Sequence, residues 1–353
     1  APGRLPGTRL HARPEPRSSA ALFWTRHKAL ITAVTAVVIV AALVAGLLLA
    51  MRGGGAQARK AAATRPDPPR PLLSPFTGEP VTSLNRVLAV KIDNIVYARP
   101  HTGLSHADIV YVLPVEGGLS RFMAVFSAGF PPVIGPVRSA REDDLELLRQ
   151  FGRPAFAYSG ATATLLPYIH QTARIVDLFD GIAGGYFRSN SRIAPYNLYA
   201  RTRQLLRQAP QASRAHDIGF RFGPPPRGGR PARSASVSYS AAWFRFTWSA
   251  ARRGWLVSMD GRPAVTTDAG RLAPATVVIM DTTVRTSQFL EYGKPPPYAE
   301  SVGSGIALVL RDGKAWTTRW SRRSLDGGTT FTTAFGQRMT FSRGQVWIVL
   351  AYR

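Results

Sequence analysis

The chain has 353 residues, with 45 lysines and arginines against 20 aspartates and glutamates, which gives a formal net charge of +25. That length accommodates about two ordinary domains beside a tail. No cysteine occurs in the sequence, which excludes disulfides, thiolate metal sites, a cysteine nucleophile and a lipid-modified cysteine among these residues.

The first element along the chain is an uncharged run over residues 29–51, ALITAVTAVVIVAALVAGLLLAM. It exceeds the roughly 20 residues that span a bilayer core, so it predicts one transmembrane helix that acts as a signal anchor. A signal peptide is the alternative, although its apolar region typically has only about 7 to 15 residues. Residues 1–28 are basic, which predicts a cytoplasmic N-terminal tail and extracytoplasmic C-terminal domains.

Two segments without apolar periodicity divide the rest of the chain. Residues 52–72 are rich in alanine, proline and arginine, which predicts a disordered linker. Residues 223–233, GPPPRGGRPAR, form a second Pro/Gly/Arg-rich linker. The sequence therefore predicts two folded parts, over residues 73–222 and 234–353.

The first folded part, residues 73–222, mixes strand and helix patterns, which predicts a mixed α/β domain. Helix patterns cover residues 139–150, 161–170 and 202–208, and apolar strand patterns cover residues 86–93, 109–115, 122–126 and 155–158.

The second folded part, residues 234–353, shows alternating apolar residues between turn signals and is predicted to be predominantly β. The turn signals are Arg253-Gly254, Asp260-Gly261, Asp312-Gly313 and Asp326-Gly327-Gly328. Six of the seven tryptophans lie in this part. We expect them to pack in the core and at sheet edges, although aromatic rings can also stack on sugars.

Polar residues recur where the strands of the first part end. They are Asp93, Asn94, Arg99, Glu116, Arg121, Arg138, Ser139 and Arg141. In α/β sheets, ligands bind in the crevice beyond the carboxyl ends of strands. Arginines beside a predicted helix N-terminus are unfavourable unless an anion binds there with Ser139 and backbone N–H groups. The alternative is that these arginines pair internally with Asp93, Asp108 or Glu116.

A further polar loop, over residues 188–199, either caps turns or closes over that crevice. It adds Arg188 and Asn197 to the candidate ligand-binding residues.

Known catalytic and metal-binding motifs are absent from the sequence. It has no GxSxG, no HExxH and no Walker loop, and its histidines are scattered. No cofactor and no metal site are therefore predicted. Asp93 and Glu116 are the only candidate catalytic pair, and they could act on a glycosidic bond if they lie about 5 to 10 Å apart.

The ordered blocks AVKIDN, ARP, GLS, ADIVY, EGG, RF, GPVRSAR and PYNLY, from residue 89 to residue 199, resemble the YerB-like family of bacterial envelope lipoproteins, a domain of unknown function. The resemblance covers the first part well, and the second part is similar to the family's β-rich C-terminal module. It implies an outward-facing, membrane-tethered protein and no established activity. Two features depart from the family: the lipidated cysteine is missing, and Tyr196 stands where the family has histidine.

The sequence thus predicts an envelope protein that binds an anionic cell-wall polymer or a membrane partner protein through an arginine and carboxylate crevice. A cell-wall glycan hydrolase or transferase using Asp93 and Glu116 is one alternative. A structural scaffold for membrane partners is another. No nucleic-acid-binding motif accompanies the positive charge, so nucleic acid is not expected as a partner.

Overall fold

The structure, a computed structural model, describes residues 38–48, 71–172, 174–291 and 293–352. Residues 38–48 are helical and exposed (α1) and belong to a unit separate from the one that begins at Arg70. Among the described residues no helix has the length and apolarity that crossing a membrane requires. The predicted tail, most of the predicted linker and the remainder of the predicted transmembrane helix, residues 29–37 and 49–51, lie outside the described residues.

The mixed α/β character predicted for residues 73–222 is confirmed. The described residues of this part form three α-helices: α2 (Glu142–Leu148), α3 (Leu165–Thr172) and α4 (Thr202–Gln208). The strands are β1 (Leu88–Asp93), β2 (Ile109–Pro114), β3 (Ser120–Phe126), β4 (Val133–Ile134), β5 (Ala155–Tyr158), β6 (Val176–Phe179), β7 (Tyr186–Arg188) and β8 (Leu198–Arg201).

The β-rich character predicted for the C-terminal part is confirmed as well. Its longer strands are β10 (Ser234–Ser238), β11 (Trp243–Ser249), β12 (Gly254–Met259), β16 (Thr276–Asp281), β19 (Gly303–Arg311), β20 (Lys314–Arg322), β21 (Thr330–Thr333) and β22 (Val346–Ala351). Its shorter strands are β9 (Arg230–Pro231), β13 (Arg262–Pro263), β14 (Val265–Thr266), β15 (Gly270–Arg271), β17 (Val284–Thr286) and β18 (Pro297–Ala299).

One sheet combines strands from both parts. Its order is β21-β20-β19-β16-β22-β2-β3-β1-β5-β6, with β9 added beside β20. The last strand of the chain, β22, lies between β16 and β2 and runs parallel to both. The N-terminal strands therefore share backbone hydrogen bonds with the C-terminal end of the fold.

Both faces of this sheet are covered, which explains why its central strands read as continuous apolar runs. On one face, the small sheet β10-β11-β12-β13 supplies Phe244, Phe246 and Trp255 to a core that includes Phe122 and Trp347. On the other face, α2 and α3 contribute to a second core, with residues Leu147, Leu148, Leu165 and Ile169. The tryptophans behave as predicted: Trp255 and Trp347 are fully buried, and Trp316 and Trp320 nearly so.

Two of the predicted Asp-Gly turns form tight hairpins. Asp260 and Gly261 both have positive φ between β12 and β13, and Asp312 and Gly313 do the same between β19 and β20. Two successive residues with positive φ make a two-residue turn whose twist matches that of paired strands.

The helix predicted over residues 139–150 begins three residues later, at Glu142. Ser139 and Ala140 are held outside it because the Ala140 N–H donates to the carbonyl of Gly160 at 2.8 Å. The carboxylate of Asp144 then accepts the Arg141 N–H at 2.7 Å and caps the helix. Tertiary hydrogen bonds thus decide where α2 starts.

Candidate functional site

The ends of β1 and β3 bring the first two charged groups together. In this antiparallel pair, Asp93 lies directly opposite Arg121. Glu116 lies in the turn between β2 and β3, followed by Gly117 and Gly118, both with φ near +70°. A β-carbon on Gly118 would lie 1.9 Å from the Ser240 hydroxyl oxygen, so this turn requires glycine for both its backbone conformation and its close approach.

The segment after β4 places Arg138 beside the end of β1. The Asp93 N–H donates to the carbonyl of Pro136 at 3.0 Å, and the Arg138 N–H donates to the carbonyl of Lys91 at 2.8 Å. This short pairing continues the sheet edge, so the side chain of Arg138 lies next to that of Asp93. The position of Arg138 is therefore fixed by the backbone and does not depend on its side-chain charge.

His101 fixes the end of β1 from the other side. Complete burial, opposed by the contact with the Asp93 carbonyl, lowers the pKa of His101 to about 3, so the ring is neutral at physiological pH. Its Nε2 lies 2.9 Å from the carbonyl oxygen of Asp93. Because a carbonyl oxygen can only accept, Nε2 carries the proton and donates it.

These elements surround an open cavity of about 820 Å³, which is within the size range of small-molecule sites. Most of its lining comes from the N-terminal part, and the loop between β17 and β18 of the C-terminal part closes one side. Its lining includes Asp93, Glu116, Arg121, Arg138, Ser139, Arg141, Thr162, Tyr196, Leu290, Glu291 and Lys294. Six predicted site residues therefore meet in one cavity.

Arg141 is paired with carboxylates on two sides. Its Nε donates to Glu116, and its Nη2 lies 3.2 Å from Glu291 on the β17–β18 loop. Burial tends to raise the pKa of Glu116, but the hydrogen bond from Arg141 and the charges of Arg141 and Arg121 hold the pKa below its ordinary value. Glu116 is therefore ionised and serves as an ion-pair partner.

Asp93 is paired with Arg138 less completely. The Asp93 Oδ2 and Arg138 Nε atoms are 3.0 Å apart. Both atoms are buried, and neither has a well-aligned hydrogen bond within the described part of the chain. The pair is thus close enough for electrostatic attraction but poorly oriented for a directional bond.

Arg121 differs from the other two arginines of the cavity. It is 8 % exposed, and its Nη1 donates to the carbonyl of Ser139 at 3.0 Å. Across residues 71–172, 174–291 and 293–352, no carboxylate oxygen lies within 4 Å of its guanidinium. Burial and then the charge of Arg141, partly offset by the charges of Asp93 and Glu116, lower the pKa of Arg121 to about 10, which leaves it charged at neutral pH.

The remaining predicted residues do not line the cavity. Arg99 pairs with Asp260 at 2.8 Å and also donates to Asn94. Asn94 donates in turn to the Ser120 hydroxyl at 2.9 Å. Arg188 donates to the side-chain oxygen of Asn197 at 2.9 Å. These four residues stabilise turns near the cavity.

The internal-pairing alternative is correct for two of its three carboxylates. Asp93 and Glu116 pair with arginines, whereas Asp108 accepts hydrogen bonds from the N–H and hydroxyl of Ser127 and from the N–H of Ala128. The positive end of α2 is also occupied, by the carboxylate of Asp144. The N-terminus of α2 is therefore not free for an anion, whereas Arg121 has no carboxylate oxygen within 4 Å among the described residues.

Sequence reasoning missed Tyr196, Glu291 and Lys294 as lining residues. Tyr196 was visible only as a departure from the family pattern, and no local motif marks the β17–β18 loop. Among the described residues there is no cluster of histidine, aspartate and glutamate that could hold a metal ion.

Residues 76–216 match the family model described as a protein of unknown function (DUF3048), N-terminal domain, and residues 235–348 match the model of its C-terminal domain. The chain belongs to the DUF3048 family. The resemblance found in the sequence is thereby confirmed, and the two matched segments of this DUF3048 protein lie on either side of residues 223–233.

The DUF3048 chain is 32 % identical over 152 residues to a protein of Bacillus subtilis (strain 168) named "Putative lipoprotein YerB". That aligned segment covers 41 % of this chain and 45 % of YerB, so it spans less than half of the relative's length. The crystal structure of YerB from Bacillus subtilis superimposes with a TM-score of 0.69 at 22 % identity, covering 79 % of this chain and 96 % of that chain. At this identity the match shows a shared fold.

Proposed function

We propose that this protein is tethered to the cell membrane, faces the outside, and binds an anionic group of a cell-wall polymer or envelope partner in the cavity. The observation that carries the proposal is Arg121, a buried and charged guanidinium with no carboxylate oxygen within 4 Å among the described residues. Removing a guanidinium from water is costly unless a counter-charge accompanies it. A bound carboxylate or phosphate would supply that charge.

The charge of the whole lining supports the same conclusion. Arg121, Arg138, Arg141 and Lys294 face three carboxylates, those of Asp93, Glu116 and Glu291. The lining therefore has an excess positive charge, which attracts anions into a concave site with low-dielectric walls. Guanidinium groups also match the geometry of carboxylate and phosphate oxygens.

Membrane attachment is supported by two independent features. The apolar run over residues 29–51 is long enough to cross a bilayer, and the name of YerB describes a lipoprotein. Because this chain has no cysteine in these 353 residues, we propose that the apolar helix takes the place of the lipid. Fractionation of full-length protein would contradict the tether if the chain were found freely soluble in cytosol.

Binding to wall polymer tests the proposed ligand class. The full chain, in a neutral detergent, is incubated with insoluble wall fragments before and after chemical removal of their phosphate and carboxylate groups. We expect binding to depend on those groups and to fall at least about tenfold in Arg121→Gln, a loss typical of a buried charge-assisted contact. Arg99→Gln is the matched control, since Arg99 lies outside the cavity lining. Equal binding by all three proteins would contradict the proposal.

A wall-glycan hydrolase has less support. Its general acid must remain protonated near neutral pH, which requires a raised pKa. The pKa of Glu116 is lowered instead, and Asp93 is paired with Arg138. Release of soluble sugar from wall polymer by the wild type but not by Glu116→Gln would favour the hydrolase over the binding protein.

A further inference from the structure

A pair of tyrosines forms an aromatic shelf at the rim of the cavity. The shelf consists of Tyr97 and Tyr196, whose ring centroids are 5.6 Å apart with an angle of 31° between the planes. Tyr196 lines the cavity, and Tyr97 is 64 % exposed. An aromatic ring exposed to that degree contributes little to the core, so packing does not account for the shelf.

The shelf and the charged residues form one continuous surface. The guanidinium carbon of Arg138 lies 5.9 Å from the centroid of the Tyr196 ring, and Arg138 in turn pairs with Asp93. Arg121 lies opposite Asp93 on the neighbouring strand. Arg121, Arg138 and Tyr196 therefore line one cavity, with the guanidinium of Arg138 beside the shelf.

Further polar groups of the cavity suit the hydroxyl groups of a ligand. Asp93, Ser139 and Thr162 line the same cavity and offer oxygen atoms that accept hydrogen bonds from hydroxyls. A bare inorganic anion would accept hydrogen bonds from the Ser139 and Thr162 hydroxyls but would be repelled by the Asp93 and Glu116 carboxylates. A purely apolar anion would leave them without a donor, which is costly in a partly buried site.

We propose that the ligand is a sugar ring that carries a carboxylate or phosphate. The acid group pairs with Arg121, and the hydroxyl groups donate hydrogen bonds to the oxygen atoms of Asp93, Ser139 and Thr162. The apolar face of the sugar ring packs on the shelf. This inference rests on the proposed anion-binding function and adds the chemical class of the ligand to it.

Titration calorimetry tests the proposal on the full chain in a detergent without a sugar head group. The probes are methyl glucuronide and glucose 6-phosphate, the neutral methyl glucoside, and acetate and inorganic phosphate as acids without a ring. We expect each acidic sugar to bind about tenfold more tightly than the corresponding simple acid, with no detectable binding of the neutral sugar. The two acidic sugars also distinguish carboxylate from phosphate as the recognised group.

Variants separate the shelf from the anion contact. Tyr97→Leu and Tyr196→Leu should remove most of the advantage of the acidic sugars and leave the affinity for acetate and phosphate unchanged, whereas Arg121→Gln should weaken both. Phe335→Leu is the control, because Phe335 is an exposed aromatic residue outside the cavity lining. Circular dichroism confirms that each variant is folded.

The outcomes distinguish the two proposals. If acetate and phosphate bind through Arg121 but the acidic sugars bind no more tightly, the sugar proposal is overturned and the anion-binding function remains. If no acid binds, with or without a ring, both are overturned. Equal binding of methyl glucoside and methyl glucuronide would overturn the role of Arg121 and leave only a shelf for neutral sugars.

Discussion

Asp93 and Arg121 lie directly opposite each other in the antiparallel pair of β1 and β3, but the Asp93 carboxylate pairs with Arg138 at 3.0 Å. Among the described residues, the guanidinium of Arg121 is left with one hydrogen bond, to the carbonyl of Ser139. The cavity thus contains a cation whose nearest cross-strand carboxylate is already engaged. This arrangement is the physical basis of the proposed anion site.

Removing the negative charge of Asp93 should strengthen anion binding. Asp93→Asn keeps the size of the side chain, frees Arg138 from its ion pair and makes the lining more positive. We expect the affinity for phosphate to rise by about three- to tenfold at low ionic strength, and this gain should shrink in high salt. Calorimetry at two salt concentrations measures it. An affinity that is unchanged or reduced would mean that Asp93 does not compete with the ligand.

A buried ion pair near the cavity should be essential to stability. The Lys91 Nζ lies 2.5 Å from Asp144, and both side chains are fully buried. Lys91→Met leaves the Asp144 charge without a partner, next to Asp143, whose pKa is raised by burial and then by Asp144. We expect the free energy of unfolding to fall by about 3 to 5 kcal/mol.

A double variant identifies the cause of that loss. Lys91→Met combined with Asp144→Asn removes both charges and retains an oxygen that can cap α2. Urea unfolding should show that the double variant recovers much of the stability lost in Lys91→Met. A loss below about 1 kcal/mol in the single variant, or no recovery in the double variant, would contradict a strong buried pair.

Asp108 should make stability depend on pH. Burial, partly offset by hydrogen bonds from Ser127 and Ala128, raises the pKa of Asp108 from 3.8 to about 6. The folded protein therefore takes up a proton as pH falls through 6, while the unfolded chain does so only near 3.8. The contribution of Asp108 to the free energy of unfolding should therefore increase by about 1 kcal/mol as pH falls from 7 to 5.

The comparison with Asp108→Asn isolates this effect. Urea unfolding of both proteins at pH 7 and pH 5 gives the difference in unfolding free energy between them. We expect the wild type to gain relative to the variant on acidification. A difference that does not change between the two pH values would mean that Asp108 is ionised throughout this range.

The strands could be predicted because the sequence patterns that specify them, apolar runs and turn residues, are local. Buried runs such as Ile109–Pro114 are apolar on both faces, and Asp-Gly pairs such as Asp312-Gly313 encode tight turns. The neighbour of β2 could not be predicted in the same way. Its pairing with β22 joins Ile109 to Val346, and no local pattern specifies a contact over that separation.

The candidate site could be predicted only as a set of charged residues near strand ends. Arg99 and Arg121 look alike in sequence, since each comes five residues after the polar residue that follows a predicted strand, Asn94 in one case and Glu116 in the other. Strand register places Arg121 opposite Asp93, whereas a turn directs Arg99 toward Asp260. The contribution of Glu291 depends on a loop about 150 residues farther along the chain, as its pairing with Arg141 shows.

The most direct test of the central claim observes the Arg121 guanidinium itself. The Nε–Hε signal of Arg121, assigned by its loss in Arg121→Gln, is followed by nitrogen-15 NMR while phosphate or methyl glucuronide is added. We predict a saturable shift of the Arg121 signal and no shift of the Arg99 signal. An Arg121 signal that stays unmoved while the anion binds elsewhere, or that moves no more than the signal of Arg99, would contradict it.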